Sequence, residues 1–182
     1  MIYVFLADGF EEIEALTTVD LLRRVDVSVS TVAIGCDQYV KGSHNITVKA
    51  DLCENDIKPD ENCDGIVLPG GVPGADNLFE SETVDTFLKY CDENKKHIAA
   101  ICAAPYVLGQ KGLLNGKKAV CYDGFEDRLK GAEVLNVRVV TDDNITTGCG
   151  PGAAMEFALR LVEIFGGDEA YKKMEAIMLC RR

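Results

Sequence analysis

Ala99-Ala100-Ile101-Cys102-Ala103-Ala104-Pro105 is the most informative stretch of the chain, because it sets one cysteine among alanines between a strand pattern and a helix pattern. In a sharp strand-to-helix turn the central residue has a strained backbone, so its neighbours two positions away, here Ala100 and Ala104, must be small. The thiol then projects over a helix N-terminus, whose N–H groups and dipole favour the thiolate. The alternative is a core cysteine, since free cysteine is among the most buried residue types. The stretch alone leaves both interpretations open.

Short apolar segments alternate along the chain with longer segments whose apolar residues recur at helical spacing. The pattern predicts strands at residues 2–7, 27–34, 65–68, 97–101, 118–121, 134–141 and 145–147, and a hairpin at 39–49. It predicts helices at residues 11–25, after the cap Ser81, from the cysteine to about 110, after Pro151, and at 168–178. Strands that are apolar on both faces and separated by helices indicate a mostly parallel sheet with helices on both sides.

Length, composition and charge narrow the class of protein. The 182 residues suffice for one core and contain no Gly/Ser-rich or Pro-rich linker, so we expect a single domain over residues 1–182 with a frayed end at Arg181 and Arg182. A net charge of −11 argues against nucleic acid as a partner, because phosphate binding needs a basic patch. No basic leader precedes Ile2 and no apolar stretch approaches the roughly 20 residues of a membrane span, so the sequence predicts a cytoplasmic protein without membrane association.

The eight cysteines and two histidines show no metal-binding pattern. No C-x-x-C pair occurs, and neither His44 nor His97 has a cysteine at ligand spacing, so we expect no metal site. Without a secretory context, we expect reduced thiols in a reducing compartment. The pattern assigns no role to Cys36, Cys53, Cys63, Cys149 and Cys180.

In open parallel sheets, ligands bind beyond the carboxyl ends of the strands, where the connecting loops gather. Three loops qualify: residues 8–14, 69–77 and 102–105. The first loop carries three glutamates at the start of a helix. For Glu11 and Glu12 we expect helix capping and solvated charge. Glu14, which has apolar neighbours, can point toward the sheet, where it would share a proton with the Cys102 thiol and act as a general base.

The second loop contains the pair Gly70-Gly71 directly after a strand. Glycine lets the backbone approach a ligand with free N–H groups, so this pair resembles an oxyanion-stabilising loop. A phosphate loop is less favoured, because no Gly-Lys-Ser/Thr follows and no G-x-G-x-x-G is present. A plain turn is the alternative.

Four blocks of the sequence, taken together, resemble the ThiJ/PfpI superfamily in order and spacing. They are Gly9-Phe10-Glu11-Glu12-Ile13-Glu14-Ala15; Val67-Leu68-Pro69-Gly70-Gly71 with Gly74-Ala75 and Asn77-Leu78; the cysteine stretch; and Gly150-Pro151-Gly152 with Glu156-Phe157-Ala158-Leu159. The resemblance covers essentially the whole chain and is strongest to the branch of the Parkinsonism-associated deglycase. It implies a flavodoxin-like three-layer α/β sandwich with a nucleophile elbow, and a homodimer.

The resemblance also implies roles for individual residues. Cys102 matches the family nucleophile and Glu14 matches the acid that hydrogen-bonds it. The backbone at Gly71 and Ala103 matches the oxyanion donors, beside Gly70. Proteins of this branch are cofactor-independent glyoxalases that turn methylglyoxal into lactate, protein deglycases, and oxidative-stress sensors whose cysteine becomes a sulfinate. We therefore expect no cofactor and a small aldehyde or glycated substrate.

One departure from the family concerns histidine. Related enzymes often have a histidine next to the cysteine or in the segment that here contains Tyr122, whereas this chain has Ala103 directly after Cys102. A Cys-His-acid triad is therefore missing from this segment, which weakens a peptidase interpretation because a leaving amine needs a proton donor. His44 aligns near a basic residue that approaches the site across the dimer interface in relatives; the alternative is an ordinary exposed histidine.

Two functions of different classes share this one site. In the first, Cys102 adds to an aldehyde, the N–H groups of Gly71 and Ala103 hold the oxyanion, and Glu14 moves protons between adjacent carbons. In the second, the protein is a non-catalytic redox sensor or chaperone, in which Cys102 oxidises and a protonated Glu14 steadies the sulfinate. A peptidase or amidotransferase has a similar elbow but lacks here the histidine partner.

Overall fold

The computed structural model describes residues 1–35 and 37–180, so Cys36 and the expected frayed end at Arg181 and Arg182 lie outside the described residues. The strands are β1 (Ile2–Leu6), β2 (Val29–Ala33), β3 (Tyr39–Lys41), β4 (Thr47–Lys49), β5 (Leu52–Cys53), β6 (Gly65–Leu68), β7 (His97–Ile101), β8 (Lys118–Ala119), β9 (Glu133–Val134), β10 (Val139–Asp142) and β11 (Ile145–Gly148). The helices are α1 (Glu12–Arg24), α2 (Gly74–Glu80), α3 (Glu82–Glu93), α4 (Pro105–Gln110) and α5 (Ala154–Ile177), with short 3-10 turns at Glu54–Asp56, Glu126–Arg128 and Pro151–Ala153.

Seven strands form the central sheet in the order β10-β11-β7-β6-β1-β2-β5. Neighbouring strands run parallel except for the antiparallel pair β10 and β11. Successive side chains of a strand point to opposite faces, so on β1 Val4 packs with α1 and α5 while Phe5 packs with α3. α2 and α4 lie on the same face as α3. The protein is therefore a three-layer, flavodoxin-like α/β sandwich, which confirms the predicted fold class.

Several predicted elements differ from the structure. The predicted strand at 134–141 is wrong as one element, because β9 pairs with β8 in a separate small sheet and β10 joins the central sheet. Between β9 and β10 the chain turns at Arg138, whose Nε lies 2.7 Å from Glu156 Oε2. The sequence pattern missed α2 and the short edge strand β5. By contrast, the predicted break between the last two helices is confirmed, because Gly167, with φ 82° and ψ 173°, interrupts the helical backbone within α5.

The chain reverses its course across the sheet at β1. From β1 it moves outward to β2 on one side, and it later returns to β6 on the other side. Loops that leave the carboxyl ends of strands at such a reversal diverge and open a crevice. The hairpin β3–β4 covers the first loop, since Lys41 O accepts from Gly9 N at 2.7 Å and Ser43 N donates to Phe10 O at 2.8 Å. The three loops expected to carry the chemistry therefore meet at one edge of the sheet.

No helix in the described part of the chain combines the length and the apolar character that crossing a membrane requires.

Candidate active site

Cys102 occupies the predicted strand-to-helix elbow. It directly follows β7 and has φ 65°, a left-handed conformation that costs a non-glycine residue on the order of 1 kcal/mol and is typical of functional sites. Its N–H donates to Gly148 O at 2.9 Å, and its carbonyl oxygen accepts from Tyr122 N at 2.8 Å. The flanking Ala100 and Ala104 are fully buried, so larger side chains would not fit. The elbow is thus fixed on both sides, and Cys102 remains 8% exposed at its apex.

Glu14 lies in the first turn of α1 and points inward, with 1% of its surface exposed. Its Oε2 accepts a hydrogen bond from the Gly70 N–H at 2.8 Å. The Cys102 thiol lies close enough to hydrogen-bond the same carboxyl group. Among the described residues, the other oxygen, Oε1, meets no nitrogen or oxygen partner. The expected carboxyl–thiol pair is therefore present, with one carboxyl oxygen left over.

Gly70 packs between Glu14 and Cys102. A Cβ atom at this position would lie 2.6 Å from Cys102 Cβ and 2.8 Å from Glu14 Oε2. Both distances are below the 3.0 Å that a Cβ atom needs from its non-bonded neighbours. Only glycine therefore fits between the acid and the thiol without a shift. This explains the first glycine of the pair better than a plain turn does.

Two backbone N–H groups approach the sulfur of Cys102. They belong to Gly71, which has φ 90°, and to Ala103, the next residue of the elbow. At Gly71 a side chain would collide with the backbone of Gly9 and Glu11, so the tight packing of the first two loops also requires glycine there. Donors that stabilise negative charge on sulfur are placed to stabilise the oxyanion of a carbonyl that the sulfur attacks.

Burial and mutual repulsion set the protonation of the Glu14–Cys102 pair. Burial raises the pKa of Glu14 to about 7; the charge of Glu11 adds to the rise, while the hydrogen bonds from Gly70 and with Cys102 oppose it. Burial also raises the pKa of Cys102 to about 12, and the Glu14 carboxylate adds to this rise, against the Ala103 and Gly71 N–H groups. The two groups interact, so their titration belongs to the pair.

The sequence led us to expect that the helix N-terminus favours the Cys102 thiolate and that Glu14 shares the thiol proton; in the structure, burial and the ionised Glu14 oppose the thiolate. Burial and the Glu14 carboxylate raise the pKa of Cys102 more than the Ala103 and Gly71 N–H groups lower it. The thiol is the stable form while Glu14 is ionised. Transfer of the thiol proton to Glu14 would remove the repulsion and leave a thiolate, the nucleophilic form of cysteine.

Glu11 and Glu12 are buried rather than solvated, contrary to the expectation for a first helical turn. Glu11 is 8% exposed and Glu12 is 5% exposed, because the tip of the β3–β4 hairpin covers them. Glu12 Oε1 accepts from His44 N at 2.8 Å, and Glu12 Oε2 lies 2.9 Å from His44 Nδ1. Burial opposes ionisation of Glu12, but these hydrogen bonds prevail and lower its pKa to about 2. The hydrogen bond to Glu12 raises the pKa of His44.

The same three residues form a cluster of metal-ligand types that the sequence did not predict. One ligand atom each from Glu11, Glu12 and His44 lies within 4.8 Å of the others. The His44 side chain is 67% exposed, and it pairs with Glu12 at 2.9 Å and Glu11 at 3.7 Å. The cluster is thus internally paired, and His44 is an ion-paired residue rather than an isolated surface histidine.

In the described part of the chain, neither histidine hydrogen-bonds Cys102. His44 pairs with the acids of α1, and His97 Nε2 lies 2.9 Å from Thr146 Oγ1. Burial lowers the pKa of His97 to about 4. Tyr122, which the sequence placed where relatives carry a histidine, is 49% exposed and adjoins the elbow through its N–H.

Gly150, which the sequence placed at a helix start and in the fourth block of the family resemblance, also borders Cys102. A Cβ atom on Gly150 would lie 4.0 Å from the Cys102 sulfur and 3.0 Å from the Tyr122 ring. Together with Tyr122 it lines the outer side of the elbow. The Gly-Pro-Gly run was the available signal, since glycine often marks a close approach to a ligand.

Comparisons with known proteins agree with this fold. The model of the DJ-1/PfpI family matches residues 1–164. The chain is 39% identical over 169 residues to Protein DJ-1 homolog A of Arabidopsis thaliana, covering 92% of the chain and 43% of that relative. It therefore spans less than half of the length of that longer protein.

Two further relatives are covered over more than four fifths of their length. Glutathione-independent glyoxalase DJR-1.2 of Caenorhabditis elegans is 34% identical over 161 residues, covering 87% of the chain and 84% of the relative. The solved structure of oxidised Toxoplasma gondii DJ-1 is 38% identical, covers 98% of this chain and 97% of the other, and superposes with a TM-score of 0.93. The family model spans nearly all of the chain, and the cysteine elbow with its acid partner lies within the matched residues. The chain therefore belongs to the DJ-1/PfpI family.

Proposed function

We propose that this protein is a cysteine-dependent, cofactor-independent enzyme of the glyoxalase or deglycase type, acting on small reactive aldehydes such as methylglyoxal or on glycated substrates. The observation that carries the proposal is the arrangement around Cys102: a buried acid on one side and two backbone N–H donors, from Gly71 and Ala103, at the sulfur. The name of the Caenorhabditis elegans relative, a glutathione-independent glyoxalase, supports the same activity class.

The first step uses the acid as the proton acceptor of the thiol. Glu14 takes the Cys102 proton while the sulfur adds to the aldehyde carbon, forming a C–S bond and an alkoxide. The N–H groups of Gly71 and Ala103 stabilise the alkoxide oxygen. Glu14 then gives its proton to this oxygen, which yields a hemithioacetal and restores the carboxylate. A glutathione cosubstrate is unnecessary in this scheme, because the protein supplies the thiol.

The second step moves hydrogen between adjacent carbons of the hemithioacetal. Glu14 removes the proton from the former aldehyde carbon to form an enediolate, and it returns that proton to the neighbouring carbon. The hydroxyl proton of the first carbon passes to the oxygen of the second, which gives a thioester. Water then hydrolyses the thioester, which releases lactate and restores the thiol. The sum is methylglyoxal plus water to lactate, so the oxidation of one carbon balances the reduction of the other without a redox cofactor.

Turnover of methylglyoxal to lactate without glutathione tests the proposal in four proteins measured side by side. Wild type is expected to be active, and Cys102→Ser and Glu14→Gln are expected to lose at least about 100-fold in kcat/KM. Cys180→Ser changes an exposed cysteine far along the chain and serves as the matched control with full activity. Full activity of Glu14→Gln would overturn the mechanism, and an inactive wild type would overturn the proposed activity.

A second candidate function is an oxidation-responsive sensor or chaperone, favoured by the unpartnered Glu14 Oε1. Because its pKa is raised to about 7, a protonated Glu14 is accessible near neutral pH and can donate to an oxygen of a Cys102 sulfinate. Mild peroxide followed by intact mass and peptide mapping tests this function. Two added oxygen atoms confined to Cys102 support it, and oxidation spread over the other cysteines contradicts it.

A peptidase is disfavoured on the same geometry. Within residues 1–35 and 37–180, both histidines make their hydrogen bonds away from Cys102. A leaving amine would then have to be protonated by Glu14 alone. Casein or peptide cleavage that depends on Cys102 would contradict this argument.

The proposal includes a homodimer in a reducing cytoplasm. α1 presents Ile13 and Leu16, which are 56% and 38% exposed, beside the covered acids. The thiol of Cys102 is free, and no disulfide joins the seven cysteines of the described ranges. Light scattering should give twice the mass of one chain, and Ile13→Asp should reduce it toward one chain mass; an unchanged single-chain mass in wild type would contradict the dimer.

A further inference from the structure

Tyr106 joins the two loops that supply the N–H donors at Cys102. It is the second residue of α4 and is 1% exposed. Its hydroxyl donates to Asp76 Oδ1 at 2.6 Å and lies 3.3 Å from Ala75 O, both in the first turn of α2. A hydrogen bond from a phenol to a carboxylate is charge-assisted and therefore stronger than a neutral one. It links the helix of the elbow to the helix that follows the glycine pair.

Arg128 completes this link. Its guanidinium carbon lies 3.4 Å above the centre of the Tyr106 ring, and its Nη2 lies 3.8 Å from Asp76 Oδ1. Gln110 Nε2 donates to Arg128 O at 2.9 Å, which ties the residue to the end of α4. Burial and the hydrogen bond to Asp76 raise the pKa of Tyr106, so its hydroxyl stays a donor.

Short hydrogen-bond paths run from Tyr106 to each side of the elbow. Its own N–H donates to Ala103 O at 3.1 Å, so it is bonded directly to one donor residue. On the other side, the Tyr106 hydroxyl lies near Ala75 O, and Ala75 N donates to Gly71 O at 2.9 Å. Ala75 thus connects Tyr106 to Gly71, the second residue whose N–H approaches the sulfur. Tyr106 therefore contacts Ala103 through its backbone and reaches Gly71 through one residue.

A third path holds the segment that bears Tyr122. Arg128 N donates to Phe125 O at 3.0 Å, and Phe125 N donates to Tyr122 O at 3.1 Å. Tyr122 N in turn donates to Cys102 O. The ring of Phe125 stacks on Tyr106 with centroids 6.1 Å apart. Tyr106 therefore also contacts the segment that carries Tyr122, through Phe125 and Arg128.

The sheet itself does not fix the distance between the donors. The last paired residues of β6 and β7 are Leu68 and Ala100, and both donor residues, Gly71 and Ala103, lie beyond them. Stabilisation of a thiolate or an oxyanion by an N–H group falls steeply with distance, so a cross-link beyond the strand ends is needed.

We propose that Tyr106, with Asp76 and Arg128, is a positioning residue that holds the Gly71 and Ala103 N–H groups at the Cys102 sulfur and thereby sets the reactivity of this thiol. The inference rests on the proposed role of Cys102 as a nucleophile, but on no particular substrate. Tyr106 touches neither the thiol nor a substrate; it acts through the two donor loops.

The test measures the rate at which iodoacetamide alkylates Cys102 at several pH values from about 6 to about 9. Peptide mapping of each reaction identifies the alkylated cysteine. Tyr106→Phe removes only the hydroxyl and is expected to lower the rate about threefold at each pH below the midpoint, because the thiolate loses stabilisation. Asp76→Ala should have the same effect, and Asp76→Asn, which keeps an acceptor, should restore most of the rate. Tyr171→Phe is the matched control, since its hydroxyl bonds Glu175 Oε1 at 3.1 Å on α5, and it should match wild type.

Rates of Tyr106→Phe that coincide with those of wild type over the whole pH range would overturn the inference. An equal loss in Tyr171→Phe would overturn it too, because the effect would then reflect general loosening. Alkylation needs no aldehyde, so a wild type without methylglyoxal turnover refutes the proposed activity and leaves this test intact. Conversely, normal turnover with unchanged alkylation in Tyr106→Phe refutes only the positioning role.

Discussion

Glu14 and Cys102 face each other across a single glycine. The Gly70 N–H donates to Glu14 Oε2 at 2.8 Å, and a Cβ on Gly70 would lie 2.6 Å from Cys102 Cβ. The backbone of the second loop thus fills the space between the acid and the thiol and also bonds the acid. The spacing that permits proton transfer depends on the absence of one side chain.

Gly70→Ala is therefore expected to damage both activity and stability. The added methyl must displace Cys102 or Glu14, which costs about 1–3 kcal/mol of unfolding free energy as overpacking. Misplacement of the reacting groups should lower kcat/KM on the order of 100-fold. Urea unfolding and methylglyoxal turnover measure the two effects. Gly152→Ala is the matched control, since a Cβ there meets no atom within 4 Å, and it should change stability by less than about 0.5 kcal/mol.

The pH dependence of turnover should follow the ionisation of Glu14. The acid must be a carboxylate to take the thiol proton, and burial raises its pKa to about 7. We expect log kcat/KM to rise with pH through about 7 and then to level off. Initial rates in overlapping buffers give the profile. A profile that is flat from pH 5 to pH 8, or that falls, would contradict the role of Glu14 as the base.

The same ionisation should make the protein less stable as pH rises. The folded pKa of Glu14, about 7, lies above its ordinary value of 4.5, so between these values the folded protein holds a proton that the unfolded chain has released. Unfolding free energy is therefore lost as pH rises from 4.5 through about 7. Glu14→Gln removes this loss and should be more stable than wild type by about 3 kcal/mol at pH 8, but equal near pH 4.5.

Urea unfolding of wild type and Glu14→Gln at both pH values measures this difference. Glu80→Gln, at an exposed position of α2, is the control in which no pH-dependent gain is expected. A gain in Glu14→Gln that is the same at both pH values would show that the effect is packing and not ionisation.

The alternation of strands and helices predicted the layers of the fold because burial on both faces of a parallel sheet leaves a continuous apolar signal. It missed α2, whose seven residues follow the glycine pair without an apolar repeat long enough to recognise. Cys102 and Glu14 were predictable from local sequence, since the elbow and the helix start are local features. The burial of Glu12 was not, because it depends on the hairpin at His44, 32 residues away.

The titration of the two histidines should show this long-range contact directly. The hydrogen bond to Glu12 raises the pKa of His44, whereas burial lowers that of His97 to about 4. Proton NMR of the imidazole Hε1 signals should therefore give one midpoint above the ordinary value of 6.5 and one near 4. His44→Gln assigns the higher midpoint by removing it.

Glu12→Gln tests whether the ion pair with Glu12 is what raises the pKa of His44. Without the carboxylate charge, the midpoint of His44 should fall toward 6.5, while His97, which bonds Thr146, should not move. Glu163→Gln, which alters a surface ion pair with Arg160 on α5, should leave both midpoints in place. Because the folded pKa of His44 is raised, its pairing stabilises the hairpin fully below pH 6.5 and is lost as pH rises through the higher midpoint. A His44 midpoint that stays unchanged in Glu12→Gln would mean that the hairpin is not held to α1 by this pair.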